Sequence, residues 1–295
     1  MSHLKKLLLS FATTIRRLRF RVSLKFFLIV VATLGAVSGI GAYYFRYAVQ
    51  RDHALRALLR DGRNRIEWGE DHGPRLVRRL LLVVFGRANH YVYAFFGNAE
   101  RFEGDGSHFR DDDAKWLESL PELQDVFLDS IHITDQTLFH LRKLHALKRL
   151  ILGNAFDERP RQITDAGLAY LNQMRDLRWL ELGGTQITDA GIEHFAPLGS
   201  LKYVGLAHTR ITDEGIRRLS LLAPGLEGLN LFDTKVTAKS AEFLIAMPNL
   251  KIVLVRVESY SDAAPWRAFK ALRPDLKIAF DGTELHAWAM THRSP

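Results

Sequence analysis

Between residues 133 and 262 the chain returns six times to one short phrase. Ile-Thr-Asp begins at Ile133, Ile163, Ile187 and Ile211, and weakens to Val236-Thr-Ala and Tyr260-Ser-Asp, at intervals of 30, 24, 24, 25 and 24 residues. A second phrase, Leu-x-x-Leu-x-Leu in form, stands ahead of each. Its apolar positions are Leu123, Val126, Leu128; Leu147, Leu150, Leu152; Leu177, Leu180, Leu182; Leu201, Val204, Leu206; Leu226, Leu229, Leu231; and Leu250, Val253, Val255. A fixed period in this range constrains the fold more than any composition, because every unit must offer the same faces to its neighbours.

The last two apolar residues of the leading phrase obey the period of two that points both side chains of a strand inward. Each such phrase therefore predicts one short strand. After it, Gly183-Gly184-Thr185 or Asp233-Thr234 turns the chain, and Ile187 or Ile211 re-enters the core. Thr188 or Asp189 is placed to cap a helix that keeps Ile192 and Phe195, or Ile216 and Leu219, on one face, with Pro197 or Pro224 near its end. No unit buries its own face. Stacking does so, and each of about six aliphatic side chains per unit then contributes roughly 1.5–3 kcal/mol before entropy opposes it. The expectation is an α/β solenoid with parallel strands on one concave face and helices outside.

The phrases LRWLELGGTQITDAGIEHF, LKYVGLAHTRITDEGIRRL and LEGLNLFDTKVTAKSAEFL resemble the leucine-rich repeat family, in the subtype LxxLxLxxTxITDxGL. The resemblance covers residues 109–280 and implies a right-handed leucine-rich repeat solenoid. Phe109 stands fourteen residues before Leu123, as Ile163 does before Leu177, so residues 109–122 read as a half repeat and N-terminal cap. Trp266 and Phe269 close the last unit, and Leu276 to Phe280 predicts an edge strand. The interval from Leu152 to Ile163 holds six extra residues, within 154–162, expected to project as a charged, solvated loop.

The net charge of +8 is unevenly placed. Residues 1–100 hold 17 Lys plus Arg against 6 Asp plus Glu, or +11, which leaves −3 for residues 101–295. Phe26 to Phe45 is a run of twenty uncharged residues, enough at 1.5 Å rise to match a hydrocarbon core of about 30 Å. Lys25 and Arg46 bracket it, and Tyr43 and Tyr44 sit where an interfacial aromatic belt would be. This predicts an N-terminal transmembrane helix, with a cleaved signal peptide ending near Ala36-Val37-Ser38 as the competing reading. Six cations in residues 6–25 face six in 46–65, a tie; the acid-free tail favours a cytoplasmic N-terminus and an extracytoplasmic repeat domain. The plan is a basic tail (1–25), a membrane helix (26–45), a linker and small α/β cap (46–108), leucine-rich repeats (109–280) and a C-terminal tail (281–295). Within 46–108, residues 48–60 and 74–85 read as helices and 91–96 as a strand. The combination resembles single-pass leucine-rich repeat proteins of planctomycete-type bacteria; the same repeat subtype occurs in F-box adaptors, but no F-box-like domain precedes the repeats.

The chain has no cysteine, which removes disulfides and thiolate sites. Asp111-Asp112-Asp113 falls where later repeats place Asp165 or Asp189 and reads as helix capping, and Glu103 to Ser107 reads as a turn. The twelve histidines lack metal-ligand spacing, and no nucleophile motif or phosphate loop occurs. We therefore expect no catalytic residues, no metal and no cofactor. The outward positions of the strands are Asp125, Phe127 and Asp129; Arg149 and Ile151; Trp179 and Glu181; Tyr203; Asn230 and Phe232; and Ile252, Leu254 and Arg256. An apolar lane from Phe127 through Trp179 to Tyr203, edged by Asp125, Arg149 and Glu181, fits a protein or peptide groove. Nucleic acid is not expected as a partner, because the repeat domain is −3 and its sequence offers no basic stripe. Weak self-association, helped by the GxxxG spacing of Gly35 and Gly39, is the alternative.

Overall fold

The computed structural model describes residues 50, 53–55, 57–59, 64–68, 99–104, 108–153, 160–256, 266, 268–269 and 271–280. The expected membrane span, basic tail, helix at 74–85, strand at 91–96, C-terminal tail and most of the 154–162 loop lie outside them. Among the described residues no helix is long and apolar enough to cross a membrane. The chain divides into two compact units, residues 1–61 with 67–100, and residues 62–66 with 101–295. In the first, residues 53–55 and 57–58 are helical, within the helix expected at 48–60, and Ala54, Leu55 and Leu58 are buried.

The sheet runs in chain order from β1 (Arg65–Trp68) and β2 (Ala99–Gly104) through β3 (Asp125–Leu128), β4 (Arg149–Ile151), β5 (Trp179–Glu181), β6 (Tyr203–Gly205), β7 (Gly228–Leu231) and β8 (Ile252–Val255) to β9 (Lys277–Ala279). From β2 onward every neighbouring pair is parallel. The register repeats unit by unit: Phe102, Val126, Leu150, Leu180, Val204, Leu229, Val253 and Ile278 form one row. Val126 through Val253 along it are fully buried, as are the leucines that open each strand phrase or nearly so. Parallel strands in unbroken order with a helical return after each define an α/β repeat solenoid.

On the return path stand α1 (Asp111–Leu117), α2 (Asp135–Leu141), α3 (Asp165–Leu168), α4 (Asp213–Leu222) and α5 (Ala241–Ile245), each packed on its successor or on a 3-10 turn between them. The unit around Ile192 and Phe195 makes a 3-10 turn, Gly191–Phe195, in place of the expected α-helix, yet buries both side chains completely. Five residues beginning with glycine are too few to gain from propagation once the next strand begins.

Strand β2 was not anticipated. Glu103 and Gly104, expected in a turn, are its last two residues and lie in register with Phe127 and Leu128. Phe102 occupies the core position 24 residues before Val126, so a complete strand precedes the supposed half repeat. A Cβ at Gly104 would meet Leu128 at 2.8 Å and Phe109 at 2.9 Å, which explains why the leucine of the phrase is missing there.

The Ile-Thr-Asp phrase works differently from simple helix capping. The threonine caps its own helix: the hydroxyls of Thr134, Thr188, Thr212 and Thr237 accept from the backbone N–H two residues on, at 3.1–3.3 Å. The aspartate instead serves the next unit. Asp165 Oδ1 accepts from the Thr188 N–H (2.8 Å) and Oδ2 from its hydroxyl (2.6 Å). Asp135 binds Thr164, Asp189 binds Thr212 and Asp213 binds Thr237 in the same way. Asp111 begins the ladder on Thr134, while Asp113 caps its own helix through the Arg110 N–H at 2.9 Å. The glycine of the motif follows: a Cβ on Gly167, Gly191 or Gly215 would lie 2.2–2.4 Å from the carboxylate of the preceding unit. Where Thr137 replaces it, the hydroxyl donates to Asp111 at 2.6 Å and uses the same space.

Candidate binding face on the sheet

Side chains that alternate away from the core share the other face of the sheet. The register sorts them into two rows. Arg101, Asp125, Arg149, Trp179, Tyr203, Gly228, Ile252 and Lys277 form the first, and Glu103, Phe127, Ile151, Glu181, Gly205, Asn230, Leu254 and Ala279 the second. The expected lane from Phe127 through Trp179 to Tyr203 is therefore not one line. Trp179 and Tyr203 stand in the row of Asp125 and Arg149, and Phe127 stands beside Ile151 and Glu181.

The N-terminal half of this face is half-buried and charged. Arg101 donates to Asp125 from Nε and Nη2 (3.2 and 3.0 Å) and lies over the Phe127 ring at 5.2 Å. Arg149 approaches the other Asp125 oxygen at 3.8 Å. Phe127 and Ile151 keep part of their surface in water. Arg101 and Glu103 belong to this face, although the sequence reading omitted them for want of β2.

The C-terminal half is closed. Tyr203 is 2% exposed and Glu181 7%, while Asn230, Ile252 and Leu254 are buried. Tyr203, Ile252, Leu254 and Ala279 form one apolar cluster on which Trp179 and Phe232 pack. Trp179 stacks on Tyr203 with ring centroids 3.8 Å apart and planes 19° apart. The expectation of an exposed aromatic lane thus fails at Tyr203, because two-residue alternation tells which side of the sheet a side chain takes and not what packs against that side.

Glu181 lies at the centre of this half. Its Oε2 accepts from the Tyr203 hydroxyl at 3.1 Å and its Oε1 from the Gly183 N–H at 3.1 Å. A Cβ at Gly205 would sit 2.0 Å from the carboxylate, so the glycine there makes room for it. Burial pushes the Glu181 carboxyl up to about 7, against the opposing effects of the Tyr203 hydroxyl, the Gly183 N–H and the positive charge of Arg161. Burial and the neighbouring Glu181 charge hold the Tyr203 phenol above its ordinary range. Arg161, expected in a solvated loop, is fully buried; its Nη1 donates to the Gly183 carbonyl at 3.3 Å and its Nη2 pairs with Asp129.

The rim beyond β6 and β7 carries two residues the sequence reading passed over. His208 and Asp233 occupy equivalent turn positions, both at φ 55, where Gly184 in the unit before has φ 73. His208 Nδ1 lies 2.9 Å from Asp233 Oδ2, and Arg256 donates to Asp233 Oδ1 at 2.6 Å while its guanidinium lies 5.7 Å from the Phe232 ring centroid. Hydrogen bonds from His208 and Arg256 hold the Asp233 carboxyl below its ordinary range despite partial burial, which by itself raises it. Among the described residues no group of three His, Cys, Asp or Glu is placed to hold a metal ion.

Fold and face together define an α/β repeat solenoid with an aromatic and charged strand surface, the architecture the repeat phrases imply. No protein-family model matches the chain, and no curated protein does. Solved structures do align with it. An internalin (inlF) from Listeria monocytogenes is similar at 19% identity over 69% of this chain and 54% of that one, with a TM-score of 0.45; the chain spans about half of its length. An internalin C2 (inlC2) from the same organism is similar at 16% identity over 70% of this chain and 93% of that chain, with a TM-score of 0.42.

Proposed function

We propose that the protein is a single-pass membrane-anchored leucine-rich repeat module that binds a protein or peptide through the outer strand face and performs no catalytic step. The supporting observation is the row formed by Phe127 and Ile151 beside the Arg101–Asp125–Arg149 ion pairs. It offers apolar contact and paired charge on a rigid sheet, the combination that anchors protein interfaces. Residues 26–45 are the anchor, with residues 1–25 in the cytoplasm and the repeats on the other side, as in the planctomycete-type proteins the sequence resembles. Trp179 contributes its free edge, and Phe232 with Arg256 extends the surface along the rim. Tyr203, Glu181 and Asn230 support that surface from beneath.

Photo-crosslinking from single positions tests the face. A crosslinking residue at Phe127 or Ile151 captures one partner band, and one at Gln136, exposed at the start of α2, captures none. Equal capture from both positions overturns the assignment. Protease protection in intact cells tests the topology: digestion of the repeats from outside supports the orientation, and their protection reverses it.

A further inference from the structure

The repeats sum to a mildly acidic domain, but position sorts their charges. Between the first leucine of each strand phrase and the strand's first outward residue stands one side chain, and from β4 to β9 it is Lys148, Arg178, Lys202, Glu227, Lys251 or Lys277. The backbone N–H of each bonds to the carbonyl of the one before at 2.8 Å. The side chains thus form a single row along one edge of the sheet, spaced at the strand separation of about 4.8 Å. Glu227, the lone acid in the row, is held between Lys202 (3.2 Å) and Lys251 (2.5 Å). Lys148, Arg178 and the adjacent exposed Arg175 have no acidic partner among the described residues. Counting the adjoining turns adds Arg175 and Arg273 to the cations and Asp176 and Asp275 to the acids, seven against three, or +4. Since residues 101–295 total −3, the rest of the domain is −7.

The same edge carries apolar side chains that no folding argument explains. Leu221, in the last turn of α4, is 69% exposed and Leu272 is 70% exposed. Contacts between units bring their turns beside the basic row. Lys202 Nζ reaches the Gly225 carbonyl at 3.4 Å, Asn249 donates to the Pro224 carbonyl at 3.2 Å, and Arg273 donates to the carbonyls of Met247 and Leu250, each at 3.2 Å. A soluble acidic chain pairs with the cations but leaves both leucines in water. A bilayer with anionic headgroups takes both, since cations stay at the headgroups while leucines enter the acyl boundary. We propose that this edge docks on an anionic lipid surface. The contact is separate from any membrane span at residues 26–45 and from the partner-binding strand face.

The chain has no cysteine, so single labels read the contact in the full-length protein. Gly199 is exposed and a side chain there meets nothing within 4 Å, which makes Gly199→Cys a benign site on the edge. Gln136→Cys is the control away from it. With an environment-sensitive dye at each, the protein is reconstituted with vesicles of pure phosphatidylcholine or with about a third phosphatidylglycerol. The label at 199 shifts to the blue and is quenched by spin-labelled lipid in anionic vesicles only, and the label at 136 does neither. Arg175→Glu with Arg178→Glu abolishes the response, and Leu221→Ser with Leu272→Ser weakens it. Neutralising one cation lowers the affinity about fivefold. No lipid-dependent response at 199, an unchanged response in the charge-reversed protein, or a response to soluble heparin matched by none to anionic vesicles would each overturn the proposal.

Discussion

The ladder between Asp165 and Gly191 can be tested by asking whether two substitutions cancel. Asp165→Ala removes an acceptor from the Thr188 N–H and hydroxyl, bonds of 2.8 and 2.6 Å, and leaves a partly buried donor without its partner. Hydrogen bonds to a charged acceptor are worth about 1.5–3 kcal/mol, so the loss is about 2–4 kcal/mol. Gly191→Ala places a Cβ 2.4 Å from Asp165 Oδ1 and 3.0 Å from Leu168 Cδ1. The carboxylate must move and surrender the same bonds, at a cost of about 2–3 kcal/mol. Gly191 does not have positive φ, so alanine fits its backbone. In the double variant the carboxylate is gone, the end of Leu168 turns aside, and alanine recovers about 0.4–1 kcal/mol through the unfolded chain. The double variant should therefore be no less stable than Asp165→Ala alone, a coupling of about −2 to −3 kcal/mol. Urea unfolding followed by circular dichroism on the four proteins measures it. Additivity within about 0.5 kcal/mol refutes the claim that the carboxylate fills the space the glycine vacates.

Burial of Glu181 gives a pH dependence of known sign. Its folded pKa, about 7, lies above the model value of 4.5, so the folded state favours the protonated form. The contribution of this group is most favourable below pH 4.5, declines as pH rises to 7, and beyond that costs about 3 kcal/mol. Glu181→Gln should raise Tm at pH 8 and lose that advantage near pH 4.5; a Tm difference constant across the range contradicts the assignment. Two glycines should behave oppositely. Gly153→Ala sets a Cβ 2.0 Å from the Gly183 carbonyl oxygen, a backbone atom that cannot turn aside, and should cost about 3 kcal/mol or more in thermal unfolding, whereas Gly199→Ala meets open space and should lie between neutral and about 1 kcal/mol stabilising. On the strand face, Phe127→Ala should cost about 2 kcal/mol in partner affinity with Tm little changed, measured by calorimetry once crosslinking has identified the partner.

The repeat architecture was legible because in a solenoid the contact map and the sequence period are nearly the same object. Leu150 meets Leu180 and Leu180 meets Val204 at repeat spacing, so a column of leucines already states the sheet register. The same property hid what the aspartate does. Asp165 lies 23 residues before Thr188, and Asp189 lies beside it; with the phrase repeated, a bond within a unit and a bond to the next unit predict the same sequence. Only coordinates distinguish them, and the telling sign in the chain was the glycine two residues after the aspartate, a space kept empty for an atom from elsewhere. Strand β2 failed to register for the opposite reason. Phe102 and Gly104 keep the offset of 24 from Val126 and Leu128 but not the leucines, so a search by residue type passed over a strand that a search by period would have found.

Burial of the sheet's outer face lay beyond reach in a different sense. Alternation places Tyr203 opposite Val204, and the register places Ile252 and Leu254 in the rows of Tyr203 and Asn230. Whether such a face is wet depends on packing that no period encodes. The basic edge was readable and was lost by averaging. A domain total of −3 discourages any anionic partner, yet Lys148, Arg178, Lys202, Lys251 and Lys277 recur at the one position per unit that the ladder aligns on an edge. Charge in a repeat protein acts along columns, because neighbours at about 4.8 Å belong to successive units and not to successive residues. With a Debye length of about 8 Å at physiological salt, an anionic surface senses the nearest column and little of the opposite face. The net charge of such a domain is therefore the wrong variable for its electrostatic partners, and the column is the right one.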